Sequence, residues 1–423
     1  MLPNGLTVIV SEDHRTDMVA LHLAYGVGSR DEAPGEFGCA HLFEHLMFEG
    51  SANVPTNAFD EWLTAAGGDN NAWTSEDTTA YHMTFPSGAL DLALFLESDR
   101  MGFLDAGLVE ENVENQRGVV LQERAERFGT PNGRDWSAVA LLTYPADHPY
   151  GHAVIGTIAD VEGFQVDGVR SFWERHYRSR NAVLAIVGDV DADDALAKVR
   201  HWFSDVPDRG EPVPRAVAPM PSPVREAIGH LEDDVEQPTL WWIWPGVHEA
   251  HPDRPAIEVL TNLLNNGRGT RLDDALYFKS DVASSVSVMS TSADIDGQVV
   301  LEVGINDQSV PKVEKRVQKV IDGLAKRPPS DDEMLRAKRA IRGWLLDELE
   351  HPEDIASALA HCYRTTGQAS CLSEEWARVD AVTAADVDRV LQAYLLDVAP
   401  SRFVNVPRGA GAVWPGSSPV ELP

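Results

Sequence analysis

Seventeen residues in the middle of the chain, Pro207 to Pro223, read PDRGEPVPRAVAPMPSP and contain six prolines with no hydrophobic periodicity. Proline fixes φ and removes a backbone donor, so such a stretch can be neither a helix nor a central strand. It divides the 423 residues into segments 1–206 and 224–423, each the size of an ordinary domain.

The two segments repeat one order of elements. Met18–Tyr25 (MVALHLAY) alternates like a strand, and a Gly- and charge-rich turn leads from it to a helical run around His41. In the second segment Thr239–Trp244 (TLWWIW) leads through a Gly/Pro/His turn to the helical run Pro255–Leu264. Gln116–Arg127 then opens a helix-rich region that ends in Val169–Tyr177 and the apolar strand Ala182–Val187. Lys338–Glu350, Val387–Leu395 and Phe403–Val406 follow the same order. Strands and helices mixed in one order twice indicate an α+β fold built by internal duplication, not a doubly wound parallel sheet.

Charge excludes some functions. With 67 acidic against 35 basic residues the formal net charge is −32, a surface that repels nucleic acid and anionic lipid. No run of about 18 apolar residues is present, so no membrane span is expected. The start, Met1-Leu2-Pro3-Asn4-Gly5, lacks a basic region followed by an apolar stretch and does not read as a secretory signal. Cys39, Cys362 and Cys371 form no Cys-x-x-Cys pair and no disulfide framework is expected. A reducing, cytoplasmic setting is the expectation, or a periplasmic one if a leader has been removed.

The chemistry concentrates in His41-Leu42-Phe43-Glu44-His45. On a helix, His41 and His45 lie one turn apart on one face and can reach one metal ion. Glu44 lies beside that face, where it can accept a proton without ligating. This inverted His-x-x-Glu-His order is a zinc-site pattern. The segment CAHLFEHLMF is otherwise apolar, so these polar groups are partly buried and need partners, which a metal supplies. A catalytic zinc site needs a third protein ligand. Glu123 is the best candidate on the helix Gln116–Glu126, with Glu126 one turn further on as its competitor.

These residues sit among others that make a specific resemblance. Leu2-Pro3-Asn4-Gly5-Leu6, Gly28-Ser29-Arg30-Asp31-Glu32, His41 to Phe48 with Gly50-Ser51, Asn71-Ala72-Trp73-Thr74-Ser75, Gln116–Glu123 and His148-Pro149-Tyr150-Gly151 follow in order. The chain resembles the pitrilysin/insulinase family of inverted-motif zinc peptidases, which includes mitochondrial processing peptidase and bacterial two-subunit relatives. The resemblance implies two homologous α/β-roll domains, each a mixed, mainly antiparallel sheet packed with helices. It implies one Zn2+ per chain held by His41, His45 and Glu123, with Glu44 as general base. It places Asn71 and Ala72 on the strand that receives peptide substrates by strand addition. Gln116 stands where several members carry a second glutamate, so any tuning role is reduced to hydrogen bonding.

One departure is informative. The family places an Arg and, seven residues later, a Tyr in its C-terminal half. Aligned on Arg271-Leu272, those positions hold Tyr277 and Ser284. The resemblance then implies a zinc-bearing subunit whose homologous partner supplies the Arg/Tyr pair, with a homodimer as the alternative. Arg271 itself reads as structural. So do His148, His152 and His176, while His351 reads as a helix end and the Trp241-Trp242-Trp244 cluster as core or interface.

Overall fold

The computed structural model describes residues 1–211, 214–215, 226–306 and 309–422. Of the proline-rich stretch, residues 212–213 and 216–223 lie outside the described residues.

Among the described residues, eleven strands form two sheets. β1 (Thr7–Glu12), β2 (Met18–Tyr25), β3 (Asp69–Thr74), β4 (Thr79–Pro86) and β5 (Ala182–Gly188) make the first, in the order β1-β5-β2-β4-β3. β6 (Ile228–Asp233), β7 (Thr239–Pro245), β8 (Ala283–Ser292), β9 (Gly297–Ile305), β10 (Ser401–Pro407) and β11 (Ser418–Pro419) make the second, in the order β11-β6-β10-β7-β9-β8. Apart from the short β11, the two orders superpose strand for strand. β1 pairs parallel with β5, as β6 does with β10, and every following pair in each sheet is antiparallel. The duplication read from the sequence is therefore a duplication of topology.

Each sheet buries one face under helices of its own half. Leu21, Leu23, Tyr81 and Met83 of the first sheet meet Leu42, Phe43 and Leu46 of the helix Cys39–Leu46 in one core. Leu240, Trp242 and Trp244 of the second sheet meet Ile257, Leu260 and Leu264 of the helix Arg254–Leu264. The opposite faces are covered by exchange. Helix Pro352–Thr366, from the second half, lays Ala356 and Ala360 on Ala20, Ala24, Ala80 and Ala185 of the first sheet. Helix Asp135–Thr143, from the first half, lays Ala138 and Val139 on Trp241, Ile243, Val300 and Phe403 of the second.

Some expectations change on contact with the fold. Cys362 and Cys371 are joined in a disulfide, with Cα atoms 5.4 Å apart, against the expectation of no disulfide framework. The turn between helices Pro352–Thr366 and Leu372–Ala381 brings together two residues that the spacing alone leaves as unrelated thiols. His351 is the residue before helix Pro352–Thr366, so it stands at a helix start, with no capping bond from its side chain; the preceding helix already ends at Asp347. Among the described residues no helix is long and apolar enough to cross a membrane.

Candidate metal centre

The helix carrying His41 begins where two glycines cross. Gly38 has φ of 98°, and a Cβ there would lie 2.9 Å from the Gly156 backbone, while one on Gly156 would lie 2.2 Å from Phe37 O. Glu32 completes the start: its carboxylate accepts from the Gly38 and Ala40 N–H groups at 2.8 Å each and is 3.1 Å from His152 Nε2. The start of the helix is thus held by a buried carboxylate that answers its free N–H groups. Burial pushes the Glu32 carboxyl up to about 7, against the pull of His152 and the two backbone donors.

The helix then turns Ala40, Leu42, Phe43 and Leu46 into the core, leaving His41, Glu44 and His45 on one flank. The third member arrives from the helix Glu110–Gly129, which buries Val113, Gln116, Val120 and Arg124 along one stripe. Glu123 lies on the border of that stripe. Its Oε2 is 3.6 Å from His41 Nε2 and 3.4 Å from His45 Nε2. One ligand atom from each of His41, His45 and Glu123 lies within 4.8 Å of the other two, the one such set of three or more among the described residues. Glu126 stays exposed and receives Gln122 Nε2 at 2.8 Å, so the carboxylate brought to the histidines is Glu123.

Two nitrogens and one carboxylate oxygen suit zinc and leave a fourth position for water or substrate. The electrostatics fit the same group. Burial pushes His41 down to about 4, and its Nδ1 has no partner, while contact with His45 holds the Glu123 carboxyl below its ordinary value. A neutral imidazole beside an ionised carboxylate is the protonation state that a metal requires.

Glu44 points beside the triad. Its Oε2 accepts a hydrogen bond from Thr74 Oγ1 at 2.6 Å; burial raises its carboxyl above the usual range and the Thr74 bond opposes that. Thr74 ends β3, an edge strand with exposed Asp69, Asn71 and Trp73. The Ala72 N–H donates to Asn71 Oδ1 at 2.9 Å. Gln116 donates to Glu49 Oε1 at 2.5 Å. Thr74 and Glu49 are the site neighbours that sequence reasoning missed. Glu49 sits four residues after His45, and this helical spacing was the available signal.

The positions matching the family's Arg and Tyr are not brought to the triad by any described contact. Tyr277 is exposed beside Phe278, and Ser284 lies at a register shift of β8. Arg271 is engaged by Glu333 and by the Arg327 carbonyl, as a structural residue would be. His148 stacks on Tyr144, His152 reaches Ser29 O and Glu32, and His176 is buried against Phe172.

Residues 7–131 match the family model described as Insulinase (Peptidase family M16), and residues 163–341 match the one described as Peptidase M16 inactive domain. The chain belongs to the M16 peptidase family. Among M16 relatives, the zinc protease PqqE of Helicobacter pylori is 27% identical over 94% of this chain and 89% of its own length. A probable mitochondrial-processing peptidase subunit beta of Arabidopsis thaliana is 23% identical over 94% of this chain and 76% of its own. The crystal structure of a protease from Helicobacter pylori superposes with a TM-score of 0.85 at 24% identity, covering 96% of this chain and 98% of that one. That likeness establishes the two-sheet duplicated fold.

Proposed function

We propose that this zinc metallopeptidase hydrolyses peptides or unfolded polypeptide segments, with one zinc ion per chain held by His41, His45 and Glu123. The convergence of those three side chains from helices far apart in sequence is the observation that carries the reading. Bound there, zinc supplies a Lewis acid that polarises a carbonyl and lowers the pKa of water toward about 7.

The chain's own residues do the rest. Thr74 holds Glu44 by its Oε2, which orients the carboxylate to take a proton from water and hand it to the leaving amine. A peptide adds to the open edge of β3 by main-chain hydrogen bonds, which supply affinity while reading little sequence. Ala72 then presents its N–H to the substrate as the Asn71 side chain swings away. Gln116 acts at one remove, holding Glu49 by a neutral hydrogen bond.

Residues 1–206 form the catalytic domain in this reading, 207–223 the linker, and 224–423 the homologous domain without the zinc motif. A second, homologous subunit supplies the Arg and Tyr that Tyr277 and Ser284 replace. The Cys362–Cys371 pairing favours an oxidising compartment over the cytoplasmic expectation.

Metal analysis joined to a peptide-cleavage assay tests the site. Glu44→Gln is expected to keep its zinc and lose turnover by about a thousandfold, the scale of a general base. Glu123→Ala is expected to lose the metal as well. Survival of activity in Glu44→Gln removes Glu44 as the base. Assaying the chain alone and with a homologue lacking His-x-x-Glu-His tests the partner, and full activity of the isolated chain sinks that part.

A further inference from the structure

The disulfide between Cys362 and Cys371 joins two helices with different tasks. Helix Pro352–Thr366 is the exchanged one, covering the far face of the first sheet through Ala356 and Ala360. Helix Leu372–Ala381 belongs to the second half. It buries Val379 in that core, and its Glu375 pairs with Arg254 of helix Arg254–Leu264. The turn between them is held weakly by everything except the disulfide. The hydrogen bonds described for residues 367–370 all go to Tyr363 or Thr366, within the turn itself.

The two sulfurs are not equivalent. Cys362 is 1% exposed, whereas Cys371 is only partly buried. Both line the largest cavity described, about 660 Å³, whose lining also includes the exposed Trp344 and His361 and so communicates with solvent. That volume admits a small molecule but not a folded protein.

Leaving-group chemistry points the same way as exposure. The Cys371 N–H donates to Cys362 Sγ at 3.3 Å. Such a bond is weak to a disulfide sulfur and becomes charge-assisted once that sulfur carries an electron pair. Cys371 itself stands just before helix Leu372–Ala381, whose first turn carries Glu374 and Glu375. These carboxylates offset the pull of the helix N-terminus on a negative charge there. The better thiolate to leave is therefore Cys362, and the sulfur open to attack is that of Cys371.

We propose that Cys362–Cys371 is a site of reversible thiol–disulfide exchange with a small dithiol, and that its state sets how firmly helix Pro352–Thr366 is tied to the second half. A thiolate of the dithiol bonds to Cys371 Sγ, the Cys362–Cys371 bond breaks, and its electron pair leaves on Cys362 Sγ. The second thiolate of the dithiol then attacks the reductant's own sulfur in that mixed disulfide and releases Cys371. The dithiol departs as a cyclic disulfide, and its two protons end on the two cysteines. Two electrons pass from reductant to protein, and the reverse sequence closes the bond again. None of this uses the metal site, so it stands apart from the peptidase reading.

The full chain, kept folded, is poised in mixtures of reduced and oxidised dithiothreitol, quenched with an alkylating agent and mapped by peptide mass. Cys362 and Cys371 are expected to become labelled together as the reduced fraction rises, and to lose labelling when the mixture is reversed. Amides in residues 362–375 should exchange with deuterium about tenfold faster in the reduced chain, while those of β2 and β5 stay unchanged. Single variants test the direction of attack. With oxidised dithiothreitol in the native state, the thiol left in Cys362→Ser should react at least about tenfold faster than the one left in Cys371→Ser. Should either variant fail to fold, the wild-type titration still decides. Labelling of both cysteines before any reductant is added overturns the proposal. So does a pair that yields to dithiothreitol only after the chain has unfolded, which would make it a permanent staple. Exchange rates that ignore the redox state overturn the restraint on the helix, and equal or inverted reactivity in the two variants overturns attack at Cys371.

Discussion

Thr74 shows how much of this site is set by a single hydrogen bond between distant residues. Its hydroxyl donates to Glu44 Oε2 from the far end of β3, 30 residues away. Burial disfavours an ionised Glu44, and this bond is the largest influence opposing it. Thr74→Val keeps the shape of the side chain and removes the donor. A hydrogen bond to a charged group is worth about 1.5–3 kcal/mol, so kcat should fall by about tenfold or more. Zinc content should stay constant and KM should change little, because the backbone edge of β3 is untouched. An unchanged kcat would show that Glu44 is oriented by something else. The legibility of the site follows the same division. His41, Glu44 and His45 can be read from sequence because helical spacing alone places them. Glu123 and Glu126 cannot be separated that way, since the choice depends on how two helices far apart in sequence cross. Thr74 was visible only as a strand residue, and its partner only in three dimensions.

At the scale of elements, the duplicated order of strands and helices was readable because hydrophobic periodicity is local. The exchange of helices between halves was not, because nothing in an alanine-rich or apolar helix names the sheet it will cover. Helix Asp135–Thr143 makes the point in its first residue. Asp135 is buried beneath the second sheet, where Asn405 Nδ2 donates to it at 2.7 Å and Trp241 Nε1 at 3.2 Å. Two donors and a helix start all favour the charged form. Burial still wins and pushes the carboxyl up to about 7. The sign of the consequence is fixed. The folded chain holds this proton more tightly than the unfolded chain, so the stabilisation is complete below the ordinary Asp value near 3.8 and is lost as pH rises through about 7. Urea midpoints measured from pH 4 to 8 should therefore decline more in the wild type than in Asp135→Asn, whose amide does not titrate. Parallel declines in the two proteins would show that Asp135 is not a source of the slope.

On the scale of the molecule, the exchanged helices make the two halves mutually dependent although the sequence repeats as if each were complete. The proline-rich stretch marks where the repeat begins again, yet covering the first sheet requires residues 352–366, far beyond it. Ion pairs reinforce the join: Asp294, in the turn between β8 and β9, is held by Arg364 at 2.8 Å and lies 3.5 Å from Arg30, which pairs with Asp77 at 2.8 Å. Segment 1–206 alone would expose the face carrying Ala20, Ala24, Ala80, Val183, Ala185 and Val187. Its helix Asp135–Thr143 would have no sheet to cover. An exposed apolar face of that kind favours association or a loosely packed state over a folded monomer. Expressed alone, 1–206 should lack a cooperative urea transition and should bind a hydrophobic dye. Mixed with 224–423, it should regain a cooperative transition, because each piece carries the helix that the other lacks. Cooperative unfolding of 1–206 by itself, with a midpoint near that of the whole chain, would mean that the exchanged helices decorate two independent domains. The metal centre would then owe its geometry to the first half alone.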